Sequence, residues 1–187
     1  MPSQNLMLQP SSQGSLPLSI WIALLAIFAA SGIILRQVAI PIFPPYVTLT
    51  PGFVIPLLTG IVLGPLGGIL CGMFVGVSGA FWEPVLIPLV GNIALGLSTG
   101  LPTYFRHRIH NISWMLTCVI SAILIGGFLP TFSIESLVFG VPSFVAALTA
   151  SVDALQAGIW VIIALILAQT IVDPLVIRHK RKESSVE

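Results

Sequence analysis

Between Thr59 and Gly79 glycine recurs at every fourth position, as Gly60, Gly64, Gly68, Gly72 and Gly76. Four-residue spacing keeps small residues on one helix face, where two lipid-embedded backbones can approach closely. Gly64 and Pro65 interrupt the array, because proline lacks a backbone donor and disfavours the α conformation in the residue before it. The pattern predicts two hydrophobic helices, roughly residues 53–63 and 66–81, joined by a very short hairpin.

Such helices need a setting, and composition supplies it. Hydrophobic residues make up 56% of the chain and charged residues 7%, against about 25% charged in an ordinary soluble domain. This is the composition of an integral membrane protein. The 187 residues allow about six spans of roughly 20 residues with short connections. The expected organisation is a mobile tail over residues 1–15, one transmembrane domain over 16–177 and a basic tail over 178–187. The first tail is rich in Ser, Gln and Pro without periodicity. No Lys or Arg precedes the first span, which is also too long for a cleaved signal peptide.

The net charge of +1 says little, but six of the seven basic residues fall into two clusters. These are Arg106 with Arg108, and Arg178, Lys180, Arg181 and Lys182. The positive-inside rule puts both in the cytoplasm. An even number of spans must then separate them, and residues 112–177 supply two, broken near Pro130 and Pro142. Four spans precede Arg106: residues 18–35, the hairpin pair, and 85–105. The expected fold is therefore an all-α membrane protein of six transmembrane helices with both termini cytoplasmic. Segments 36–51, 81–84 and 129–142 fall outside, and Arg36 is the lone basic residue there.

The external side holds most of the chain's polar character. Segment 38–51 contains four prolines and cannot be a straight helix. Its length suits a functional loop or a cover over helix ends, and its apolar and aromatic residues, Ile40, Ile42, Phe43, Tyr46 and Val47, argue for packing onto the bundle. Trp82 and Glu83 form the next external turn; a tryptophan there serves equally as an interfacial anchor. Asn92 follows Glu83 by about nine residues, roughly 13 Å deeper at 1.5 Å per residue. On the sixth helix Asp153, Gln156 and Trp160 recur at i, i+3 and i+7 and share a face. An acid within a span costs about 2.5–3.5 kcal/mol on insertion scales and normally faces a bundle interior or wet cavity. Were the helix to begin late, Asp153 would instead sit in the headgroup zone. Two acids, Glu83 and Asp153, against Arg36 lean toward a ligand with a cationic or amine-bearing part.

Other chemistries find no foothold. The first lysine is Lys180, so no phosphate-binding loop of the Gly-Lys-Ser/Thr kind exists and ATP-driven work needs a partner. His107, His110 and His179 lie in basic stretches without carboxylate or cysteine at metal-ligand spacing, so no metal site is expected. Cys71 and Cys118 belong to separate spans and read as apolar fillers. No serine, histidine and acid converge at one depth, so no enzyme and no cofactor is expected.

The stretches ALLAIFAASG, IPIFPPYVTLTPG and FVIPLLTGIVLGPLGGILCGMFVGVSGAF resemble the substrate-capture subunit, or S component, of energy-coupling factor (ECF) vitamin transporters. The likeness is one of architecture and local texture across roughly residues 18–177, strongest where Leu-Thr-Pro-Gly-Phe leads into Gly-x-x-x-Gly-Pro-x-Gly-Gly. It implies a six-helix protein in the cell membrane that binds a vitamin or related micronutrient from outside and delivers it inward by toppling. It also implies partners: a transmembrane coupling subunit, which an alanine pair on the first helix touches, and two ATPase subunits. Ala26 and Ala30 match that pair, with Ala23 on the same side. The family's pocket lies in the outer half, where Tyr46, Thr48, Trp82, Glu83, Asn92, Asp153, Gln156 and Trp160 are expected. The rival readings are a membrane-embedded enzyme and a structural membrane protein with no pocket.

Overall fold

The computed structural model of the chain describes residues 16–38, 40–43, 47–79, 86–108 and 110–172. Five helices in it are long and apolar enough to cross a membrane. They are α1 (Leu18–Arg36), α2 (Val54–Gly79, entered through the 3-10 turn Pro51–Phe53), α3 (Leu86–Tyr104), α4 (Asn111–Val138) and α5 (Ser143–Leu167). Large apolar side chains stand out from them, including Leu18 at 72%, Phe144 at 76% and Leu137 at 82% exposure. Apolar surface on that scale is not kept against water, and the chain is a multi-pass helical membrane protein.

α2 is the centre of the bundle. In its most apolar stretch 56% is buried, against 17% for α1. The sequence separates two helices here, and the structure folds one long apolar run at Gly64, whose φ of 78° and ψ of −172° are non-helical. That φ belongs to the left-handed region which a Cβ disfavours. The two ends of the run come back to one residue: a Cβ at Gly52 would meet the backbone of Arg36, and one at Gly79 its guanidinium. The arms before and after Gly64 therefore lie side by side and antiparallel, as a hairpin.

The glycine array packs on α3. A Cβ on Gly68 would overlap the backbone of Gly96, and one on Gly96 the backbone of Gly68. Gly60, Gly72 and Gly76 face α3 in the same way. In lipid the attraction between helices comes from packing and hydrogen bonds rather than from water exclusion, so backbone-to-backbone contact is what holds α2 to α3. Thr99 reinforces it, its Oγ1 donating to the carbonyl of Leu57 at 2.9 Å.

Segment 38–51, expected not to be a straight helix, carries β1 (Ile40–Phe43) paired antiparallel with β2 (Val47–Leu49). One local expectation is corrected. Pro130 does not break α4. The turns before it, Ala122–Phe128, are π-helical, and the wider turn relieves the clash between the proline ring and a preceding carbonyl. The helix runs on to Val138 and the chain reverses at Gly140, φ 66°, before Pro142 caps α5. Segment 129–142, expected as an external connection, is thus helical over most of its length. Asp153 lies well inside α5, ten residues after its start.

Candidate ligand cavity

At the Arg36 end of the bundle, between α1, the turn into α2, α3, α4 and α5, lies a cavity of about 260 Å³. That is just below the ~300–1,000 Å³ usual for a small-molecule site. Half of its lining residues carry polar side chains: Arg36, Thr50, Asn92, Thr131, Glu135, Thr149, Asp153 and Gln156. The remainder includes Phe53, Ile87, Pro88, Leu95 and Val152, with Gly91, Gly126 and Gly127 leaving room beside them.

Each polar group is positioned by its own element. On α4, Thr131 and Glu135 are one turn apart; on α5, Thr149 and Asp153 are too. The two pairs clasp reciprocally. Thr131 Oγ1 donates to Asp153 Oδ2 at 2.6 Å, and Thr149 Oγ1 donates to Glu135 Oε2 across the same helix pair. Each bond joins a hydroxyl to a carboxyl, and charge-assisted bonds are the stronger sort. Thr131 is buried and Thr149 exposed, so the clasp runs from the cavity wall to its rim.

Asn92 of α3 is 1% exposed. Its Nδ2 donates to the carbonyl of Pro88 at 2.7 Å, while its Oδ1 is buried without a hydrogen-bond partner among the described residues. A buried acceptor left unmade costs roughly 1–3 kcal/mol, so this oxygen is an unmet acceptor on a residue that lines the cavity. Gln156 does a different job. Its Oε1 accepts the backbone N–H of Thr50 at 3.2 Å, pinning the exit of β2 to α5. Arg36 is 8% exposed and lies against the hairpin ends at Gly52 and Gly79.

Of the candidate residues read from the sequence, Asn92, Asp153 and Gln156 line the cavity together. Trp160 does not; one turn further along α5, it packs against the apolar core. The backbone of Thr48 pairs with Pro41 in the β1–β2 ladder, and its side chain, like Tyr46, Trp82 and Glu83, lies outside the described residues. Arg36, Thr50, Thr131, Glu135 and Thr149 were not among the sequence candidates. Glu135 was passed over because its segment was read as a connection. The signal that could have found it is a hydroxyl one turn from an acid, twice, in a nearly uncharged chain.

Ala23, Ala26 and Ala30 are all exposed on α1. Ile22, Ile27 and Ile34 stand exposed beside them, while Ala29, Gly32 and Arg36 are the buried positions of the helix. The sequence matches no protein-family model and no curated protein.

Proposed function

We propose that this chain is the membrane-embedded capture subunit of an ECF-type importer, binding a vitamin or related micronutrient from outside the cell and passing it inward. The observation that carries the reading is the cavity at the Arg36 end, where a buried, unpartnered Asn92 Oδ1 stands among seven other polar side chains. A helical protein in lipid gains nothing from collecting such groups unless something polar is held there.

The orientation follows from charge. α3 leads from the cavity, at Ile87 and Pro88, to the basic turn Arg106–Arg108 at its other end. With that turn cytoplasmic by the positive-inside rule, the cavity faces the exterior. Counting the two arms of the α2 hairpin separately gives six crossings with both termini inside, in the cell membrane. The chain has no nucleotide-binding loop, so transport requires ATPase partners and a coupling subunit. The exposed alanines of α1 offer a face flat enough for a neighbouring helix.

The test is direct. Protein solubilised in mild detergent is denatured and the released small molecules are read by mass spectrometry. A stoichiometric compound of vitamin size is the expected result, reduced at least tenfold in an Asp153→Ala variant that keeps the wild-type gel-filtration profile. Empty wild-type protein that also fails to support uptake when expressed with coupling and ATPase subunits would remove the reading.

A further inference from the structure

α4 and α5 meet differently along their length. Toward the cavity they touch backbone to backbone: a Cβ on Gly127 would overlap Ala154, whereas one on Gly158 would meet only the side chain of Ile123, at 3.3 Å. Nearer the basic turn Arg106–Arg108 the two helices leave a groove of about 270 Å³ between them. Met115, Leu116 and Val119 line it from α4, and Ile162, Leu165 and Ile166 from α5. On α4 it runs from Ile112 to Val119, about 10 Å at 1.5 Å per residue. One leaflet offers about 15 Å of hydrocarbon, half of a ~30 Å core, so the groove has the reach of an acyl chain lying along the bundle.

Its walls discriminate between a lipid chain and another helix. Helices in lipid approach closely through small residues, as α2 and α3 do at Gly68 and Gly96. The groove is walled by Ile, Leu, Val and Met, with Gln169 as its one polar residue and no Gly, Ala, Ser or Thr. A flexible chain needs no backbone approach and fits between branched side chains. Charge then selects the headgroup. α4 starts at Asn111, directly after the basic turn, and Ile112 at the groove's end is its second residue. Arg108 stands exposed at that turn, and Arg106 is held with its Cζ 4.3 Å from the ring centroid of Trp114. The acids among the described residues, Glu135 and Asp153, line the cavity at the other end. Basic pockets between membrane helices on the cytoplasmic side hold anionic headgroups. We infer that this groove binds an anionic phospholipid, one acyl chain lying between α4 and α5 and the phosphate at Arg108. The lipid joins, at the basic end, the two helices that carry the Thr131–Asp153 and Thr149–Glu135 clasp. The inference stands on the membrane setting and is independent of what the cavity holds.

The experiment titrates the full chain, delipidated in detergent, with phosphatidylglycerol and with phosphatidylcholine of the same acyl chains. Native mass spectrometry counts retained lipid while the melting midpoint is followed. One phosphatidylglycerol should be retained at least ~10-fold more tightly than phosphatidylcholine, with a raised midpoint. Arg108→Gln should remove most of that preference. Ile162→Trp fills the groove and should expel the lipid, whereas Leu124→Trp, at an exposed α4 position outside the groove, should keep it. If Ile162→Trp lowers the unliganded midpoint, Leu116→Trp gives the same readout from α4. Equal retention of the two lipids by wild type, or a preference unchanged in Arg108→Gln, overturns the inference. Lipid kept by both groove-filling variants places it elsewhere and overturns it too. Absence of retained lipid overturns it as well, and a dimer mass that Ile162→Trp abolishes would give the groove to a second copy of the chain.

Discussion

The side-chain carbonyl of Gln156, on α5, accepts the backbone N–H of Thr50, more than a hundred residues earlier, at 3.2 Å. That bond ties the segment after β2 to the helix carrying Asp153. It closes one side of the cavity with backbone rather than with a mobile side chain. A glutamine whose carbonyl is committed in this way acts as a latch for the covering segment.

Replacing Gln156 by Leu leaves the Thr50 N–H without its partner, a loss of roughly 1–3 kcal/mol for a part-buried donor. The covering segment then opens more often. Hydrogen exchange over residues 47–53 should speed by tenfold or more, and ligand should leave faster with little change in association. Gln156→Glu retains an acceptor at the same reach and should keep exchange near the wild-type rate. Equal exchange in wild type and Gln156→Leu would show that the latch does not hold the segment.

Gly91 provides a way to fill the cavity without disturbing its walls. A Cβ built there meets nothing within 4 Å, although the residue lines the cavity. Gly91→Ala should be tolerated and Gly91→Leu should occupy the space meant for ligand. The expected outcome is an unchanged or raised melting midpoint, since alanine and leucine favour helix over glycine by about 1 kcal/mol, with ligand affinity lost for Leu and reduced for Ala. Full binding by Gly91→Leu would put the ligand somewhere else.

Gly68 is the opposite case. Its missing Cβ is what lets the backbone of Gly96 sit against it, so even Gly68→Ala forces α2 and α3 apart. Overpacking of this kind costs typically about 1–3 kcal/mol. A lowered melting midpoint in detergent is expected for Gly68→Ala and a larger drop for Gly68→Val, in contrast to the tolerance at Gly91. Equal midpoints for Gly68→Ala and Gly91→Ala would contradict the close approach of the two helices.

The contrast between these glycines shows what the sequence could reveal. Spacing of four announced a helix face of small residues, and Pro65 after Gly64 announced a reversal, because both are local rules of backbone chemistry. The hairpin, the packing face and the joint position of Asn92, Asp153 and Gln156 were therefore legible. Pro130 misled because the same local rule was overridden by the π-helical turns before it, Ala122–Phe128, and such turns have no strong residue signature. Once α4 was cut at Pro130, Glu135 moved into a connection and its clasp with Thr149 disappeared from view. Trp160 failed for a related reason. Three residues on one helix face need not meet one cavity, because Trp160 lies a turn further along α5, where the neighbours are the apolar core. Spacing gives a direction around a helix, and depth along it depends on what the other helices leave open.

The outer face of α1 allows the partner half of the proposal to be separated from the ligand half. Ala23, Ala26 and Ala30 are exposed, and the buried positions of the helix, Ala29, Gly32 and Arg36, lie on another side. A bulky side chain at Ala26 or Ala30 therefore projects away from the bundle and leaves the cavity untouched. Against lipid it is harmless; against a closely packed partner helix it prevents approach, because small residues are what allow backbones to meet. Ala26→Trp and Ala30→Trp should keep wild-type melting midpoint and ligand content while losing co-purification with coupling and ATPase subunits, and with it ATP-dependent uptake in proteoliposomes. Ile27, exposed on the same helix, supplies the control: Ile27→Trp adds bulk beside the alanine stripe and should reduce assembly less. Recovery of intact complex with both alanine variants would move the partner's docking face off α1, and loss of ligand without loss of assembly would tie these alanines to the cavity instead.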